Sequence, residues 1–149
     1  MAGITTAFSR SAKVELLKGV HVIAASGGDA LKLALIKPSM AGTYDKTTQN
    51  YSDVTGNSDE ASGTGYTAGG VALTPSDPVL SGDTAVCDFA DVSWAGATIA
   101  ARGCQIYNSS KSGKSLSVHD FGGTQQVTAG TLTLVFPTPD ASNAILRIT

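Results

Sequence analysis

Between Asp29 and Pro38 the chain reads DALKLALIKP, and its apolar positions alternate: Leu31, Leu33 and Leu35 fall on one side, Lys32, Ala34 and Ile36 on the other. A period of two predicts a strand with one face on a core, and Pro38, which cannot donate to a ladder, ends it. Upstream, SRSAKVELLKGVH decides less sharply between periods. Ser9 or Ser11 as an N-cap and Gly19 as a stop favour one short helix over about 9–19, the only good helix candidate in the chain. Six further strand signals fall at 71–74, 84–89, 98–107, 115–121, 131–136 and 144–148. They are divided by PSDP, SGD, NSSKSGK, the pair Gly122-Gly123, and PTPD. In TLTLVF, Leu132, Leu134 and Phe136 alternate with Thr131, Thr133 and Val135, so at least one sheet face packs inward. The pattern predicts an all-β chain: an antiparallel β-sandwich, jelly-roll-like, with one short N-terminal helix. The expected core includes Trp94, Ile99, Ile106, Phe121, Leu132, Leu134 and Phe136.

Residues 40–62 break the rhythm. The stretch is polar and turn-rich, too poor in apolar residues to hold a core position, and it reads as a long surface loop whose removal would leave the β domain folded. A segment of this kind is also a candidate arm that orders against a neighbouring subunit, with Tyr44, Asp45, Tyr51 and Asp53 in it and Tyr66 just beyond as the candidate interaction residues.

Composition narrows the partners. A chain of 149 residues fits one domain with one core. Charged residues are 15% of it, the net charge is -2, and Lys and Arg are scattered singly, so it lacks the footprint of a nucleic-acid binder. The N-terminus has no uninterrupted apolar run, since Lys13, Glu15 and Lys18 divide it, so neither a signal peptide nor a membrane span is expected. Cys87 and Cys104 lie in strand-like stretches without a CxxC pair or nearby histidines. They are expected as buried free thiols rather than metal ligands or a disulfide.

The segment SGTGYTAGG at 62–70 raises the one sharp chemical question. Gly63, Gly65 and Ala68 satisfy the loose form G-x-G-x-x-G/A, but a dinucleotide loop needs a strand before it and a helix after it, and here a polar loop precedes and the strand VALT follows. The glycines are therefore expected to serve positive φ or close backbone approach, with Tyr66 packed beside them. Gly113-Lys114-Ser115 ends like a P-loop but joins strand to strand. His119 and Asp120 are neighbours on a strand and point to opposite faces, so they make no direct dyad. Asp53, Asp59 and Glu60 are not spaced as a calcium loop. No catalytic, cofactor or metal residue is assigned, and the chain is read as non-enzymatic.

The strings AKVELLKGVH, DALKLALIK, SGTGYTAGG, WAGATIAARGCQIYNSS, SVHDFGG and FPTPDASNAILRI, in this order, resemble a family of small proteins encoded among the virion genes of tailed bacteriophages. The likeness runs over nearly the whole chain and is most specific from Trp94 to Asn108. Cys104 departs from it, where a small apolar residue is usual, and so does NSDEASG, which lengthens the loop before Gly63. The resemblance implies a virion structural protein assembled in the host bacterial cytoplasm. The expected function is capsid decoration, a cement that reinforces the head shell, with the major capsid protein or other virion subunits as partners and homo-oligomers expected. A tail or head-fibre component is the alternative, and a virion-borne carbohydrate-binding module is another.

Overall fold

The computed structural model describes residues 1–149. Strands hold 45% of the residues and helices 10%, so the chain is mostly β. DALKLALIKP forms a strand, β3 (Leu31–Ile36), and it is an interior one. On one side it pairs with β5 (Val71–Ala72), on the other with β8 (Val92–Asn108), both antiparallel. Next to β8 runs β9 (Lys114–Leu134), also antiparallel, and β2 (Ala7–Phe8) adds two residues at the far edge of β9. The five-stranded sheet is thus ordered β2-β9-β8-β3-β5. A smaller antiparallel sheet places β7 (Thr84–Cys87) between β10 (Leu146–Ile148) and β6 (Val79–Ser81). A third pair, β1 (Gly3–Ile4) with β4 (Thr43–Tyr44), is parallel and joins the N-terminus to the region expected to be a free loop.

Of two punctuation signals, NSSKSGK joins strand to strand as expected and Gly122-Gly123 does not act as expected. NSSKSGK is a hairpin connection: a single 3-10 turn at Ser109–Lys111, then Ser112 and Gly113 at φ 56° and 74°, which bring the chain back antiparallel. Gly122-Gly123 does not separate strands. The signals at 115–121 and 131–136 are parts of the single strand β9, and the glycines sit where Ala101 faces Gln125 but Gly103 faces Asp120. Surplus residues on one strand are a bulge, and Gly122 at φ 78° supplies the conformation it needs. The strand β6 was hidden between the turn strings PSDP and SGD.

The N-terminal helix is α1 (Arg10–Leu17). Ser9 stands at its N-cap, but its hydroxyl hydrogen-bonds to Ser115 Oγ at 3.0 Å, tying the helix to β9. At the other end Gly19, at φ 67°, donates to the Leu16 carbonyl and Val20 to that of Glu15, the paired bonds of a Schellman stop. A second helix, α2 (Ser52–Thr55), lies within the supposed loop.

Both larger sheets contribute to one core. Leu31, Leu33 and Leu35 meet Trp94, Ile99, Cys104 and Ile106 from the five-stranded sheet, and Cys87 and Leu146 from the smaller one. Trp94, Ile99, Ile106 and Phe136 are buried, whereas Phe121, Leu132 and Leu134 are half-buried at its margin, because no strand flanks that part of β9 on its outer side. The reverse face of β3 is covered as well. Ile36 and Val118 pack with Tyr44 and Val54, with Ile4 and Met40 beside them.

Residues 40–62 are therefore a layer of the fold and not an excursion. Tyr44, Val54, Asp59 and Ala61 are all at most 3% exposed. The segment reads as polar because one tyrosine and one valine supply most of its packing and hydrogen bonds supply the rest.

Truncating Trp94 to Ala is expected to cost about 3–5 kcal/mol in a denaturant melt, the range for a buried large aromatic. Replacing residues 43–60 by a short Gly-Ser linker is expected to abolish the cooperative melt and the near-ultraviolet dichroism, since it strips the reverse face of β3; a native-like spectrum would refute the layer.

Candidate functional site

The candidate interaction residues are held by two adjacent carboxylates. Asp59 follows directly on α2 and the turn after it, and its backbone carbonyl accepts from Lys37 N–H at 2.9 Å, which pins the segment to the end of β3. Its side chain, fully buried, accepts from Ala41 N–H at 2.9 Å, Gly42 N–H at 2.7 Å and the Tyr44 hydroxyl at 2.6 Å, with Lys37 Nζ at 3.4 Å. Burial pushes this carboxyl up, but the Tyr44 hydroxyl, the two amides and Lys37 outweigh it and hold it below the ordinary carboxylate value. Tyr44 is pushed up, by burial first and then by its bond to Asp59.

Glu60 points the other way, into the glycine segment. It accepts from the Tyr51 hydroxyl, from the Tyr66 hydroxyl at 2.7 Å and from Gly69 N–H at 2.7 Å. Tyr66 Oη also accepts from Leu35 N–H at 3.0 Å, and its ring lies tilted against Trp94 at 6.3 Å. Tyr51 stacks on Tyr107 with centroids 4.4 Å apart, and the Tyr107 hydroxyl donates to Gly69 O at 2.6 Å. All three phenols are pushed up, chiefly by burial and next by Glu60. The glycines let the segment lie flat on the sheet: at Gly70, φ 76°, a Cβ would collide with the Leu33 carbonyl, and at Gly63 with that of Thr98. The segment is a backbone-to-backbone fastener, with no helix N-terminus behind it to hold a phosphate.

Of the five residues, then, Tyr44 is inaccessible and Tyr51 and Tyr66 spend their hydroxyls internally. Asp53 Oδ2 accepts from Gln49 N–H and Asn50 N–H at 2.7 and 3.0 Å, ordering the entry to α2. Asp45 accepts from Thr47 Oγ1 and Thr47 N–H, bonds that hold its carboxyl low. Tyr44 and Asp53 do border one polar recess of about 380 Å³, together with Thr47, Gln49, Asn50 and Asn57. Its walls are hydroxyls, amides and one carboxylate, with no aromatic platform laid open to solvent.

Sequence reading missed Asp59 and Glu60 as organisers, having weighed them only as calcium ligands; their signal is adjacency, which on extended chain sends two side chains to opposite faces. A second missed pair is Ser117 and His119. They share a face of β9 at spacing two, with Ser117 Oγ 2.8 Å from His119 Nε2, beside a cleft of about 500 Å³ that also takes in Thr6, Asn143 and Arg147. Ser117 is only 1% exposed, and Asp120 is engaged with Arg102 at 2.8 Å on the opposite face, so the pair has neither an open nucleophile nor an orienting carboxylate. His21 is likewise structural, set between Glu15 at 2.9 Å and Asn108 at 2.9 Å. Cys87 and Cys104 are buried free thiols, pushed up to about 11 and about 12 by burial. No group of three His, Cys, Asp or Glu side chains converges as metal ligands would.

Comparison with protein-family models, curated proteins and solved structures finds no match for the chain.

Two acid-sensitive windows follow from these environments. Burial pushes His119 from 6.5 down to about 4. The unfolded chain takes up a proton there that the native one refuses, so stability falls as pH is lowered from 6.5 to 4. Asp59 lies below its ordinary 3.8, so its contribution is full above that value and is lost as pH drops beneath it. His119→Gln is expected to flatten the first limb only. Asp59→Asn is expected to flatten the second and to cost at least about 3 kcal/mol at neutral pH, as breaking a buried charge network does; urea melts across pH read both.

Proposed function

We propose that this chain is a non-enzymatic structural subunit of a tailed-bacteriophage virion, assembled in the bacterial cytoplasm, that decorates and reinforces the head shell by binding the major capsid protein. The observation that carries the reading is the outer edge of β9. β2 covers it only at Ser117 and Val118, and beyond them no strand of the chain pairs with it. From Phe121 to Leu134 the strand carries no charged side chain and no proline. Edges left without Lys, Glu or Pro are the ones that accept a neighbouring strand, and in a shell such contacts repeat with every copy. The fold belongs to the same reading: an antiparallel sandwich, jelly-roll-like, supported by the single core to which both larger sheets contribute.

A tail or head-fibre component would use the same edge. The carbohydrate-binding alternative is favoured by one feature, the polar recess beside Tyr44 and Asp53.

Purified protein added to capsids stripped of accessory proteins is expected to co-sediment and saturate. Gln126→Lys together with Thr131→Lys, both at exposed positions on β9, is expected to weaken that occupancy by about tenfold or more while leaving near-ultraviolet dichroism unchanged. Absence of binding to shells, with a signal on a glycan array, would replace this function by the carbohydrate module. Hydrolysis lost on His119→Ala would replace it by an enzyme.

A further inference from the structure

Two inward positions of β9 are polar. Ile106 and Cys104 of β8 face the main core, and their partners across the ladder are Ser117 and His119. Cross-strand partners share a face, so both side chains sit on the core side of the sheet, where the alternation calls for hydrocarbon. Phe8 of β2, which pairs with Ser117, lies on the same face and packs against the core. In front of them the space is not filled. The cleft of about 500 Å³ lies between this end of β9, β2 and the chain at 137–147, with Phe8, Ala144 and Ile145 in its apolar lining. Polar groups set into an otherwise apolar wall beside an open cleft are the usual makings of a ligand pocket.

The free polar groups of the lining are mainly donors. Ser117 is 1% exposed and its hydroxyl has one partner, His119 Nε2 at 2.8 Å. The buried hydroxyl proton therefore goes to Nε2, and the ring proton sits on Nδ1. Nδ1 has no partner in the chain and is not sealed from solvent. Thr6 Oγ1 accepts from Asp120 N–H at 2.9 Å and keeps its own proton to give. Arg147 donates from Nη1 to the Ala141 carbonyl at 3.0 Å, which leaves Nε and Nη2 free, and it makes no salt bridge. No carboxylate lines the cleft. Asp140, on the same loop, is occupied by Ser142 N–H, Asn143 N–H and the Asn143 side-chain amide.

We propose that this cleft binds a small organic acid, a single carboxylate on an apolar body. The carboxylate takes protons from His119 Nδ1, Thr6 and the free edge of Arg147, and the body lies on Phe8 and Ile145. One guanidinium matches one carboxylate charge. A phosphate dianion would bring a second charge that no cation of the lining meets, and it has no hydrocarbon to cover the apolar wall. The site uses no residue of β9 beyond His119, so it stands apart from the edge assigned to the shell.

The test is a titration of the isotope-labelled full chain with phenylacetate at neutral pH, followed by backbone amide shifts and without capsids. Phenylacetate is expected to move the amides of Thr6, His119 and Arg147 saturably. Phenylacetamide, which has the same body without the charge, is expected to bind about tenfold more weakly or worse, and inorganic phosphate is expected not to compete. Arg147→Gln, at an exposed position, is expected to weaken phenylacetate by about tenfold or more with dichroism unchanged. The His119 ring nitrogens are expected to show the Nδ1–H tautomer, and Ser117→Ala to lose it. Shifts that do not saturate, or that fall away from the cleft, overturn the proposal. So do equal affinity for phenylacetamide, competition by phosphate, binding indifferent to Arg147→Gln, and an Nε2–H tautomer in the unsubstituted chain.

Discussion

A carboxylate with no exposure to water holds the second layer of this protein in place. Burying the Asp59 side chain alone would cost several kcal/mol, so it is tolerable only where donors surround it. Those donors come from Lys37 at the end of β3 and from Ala41, Gly42 and Tyr44 on the chain that leaves it. The charge can be buried only if residues 37–59 close into one loop, and that loop is what shields Ile36 and Val118. β1 depends on it in turn, because Gly3 and Ile4 have Thr43 and Tyr44 as their strand partners.

Glu60 applies the same device to the opposite side. The chain at 59–61 runs beside β3, with Lys37 N–H bonded to Asp59 O and Ala61 N–H to Leu35 O, so successive side chains alternate in direction. Asp59 reaches back to the loop behind the sheet while Glu60 gathers Tyr51, Tyr66 and Gly69. A glycine-rich segment that resembles a phosphate cradle is thereby fixed by a carboxylate, a group that would repel phosphate.

What could be read in the sequence was whatever repeats with a short period. The alternation of β3 and the strand signal at 98–107 located the central strands, and the N-cap and stop signals located α1 to within two residues. Residues 40–62 could not be read that way. Their place is set by bonds from Asp59 to Tyr44 and from Glu60 to Gly69, which follow no period, and by two apolar side chains that any hydropathy average dilutes. The bulge at Gly122 was read as a strand end for a related reason: glycine breaks a strand or bends it, and only pairing with β8 on both sides decides which. Of the candidate site, accessibility could not be read, since tyrosine in a polar stretch looks exposed until its hydroxyl finds a buried acid.

The sheet order has a consequence for synthesis. β2 is made well before its only strand partners, Ser117 and Val118, and Ser9 beside it bonds to Ser115. At roughly 5–20 residues per second, the intervening chain takes roughly 5–20 s to emerge from a ribosome. For that interval Phe8 and Ala12 lack part of the core they pack into, Leu116 of β9 included. The N-terminal piece must therefore be either soluble by itself or sheltered, and the three cations within residues 10–18 give a newly made segment the charge to stay apart from its neighbours until the hairpin of β8 and β9 arrives.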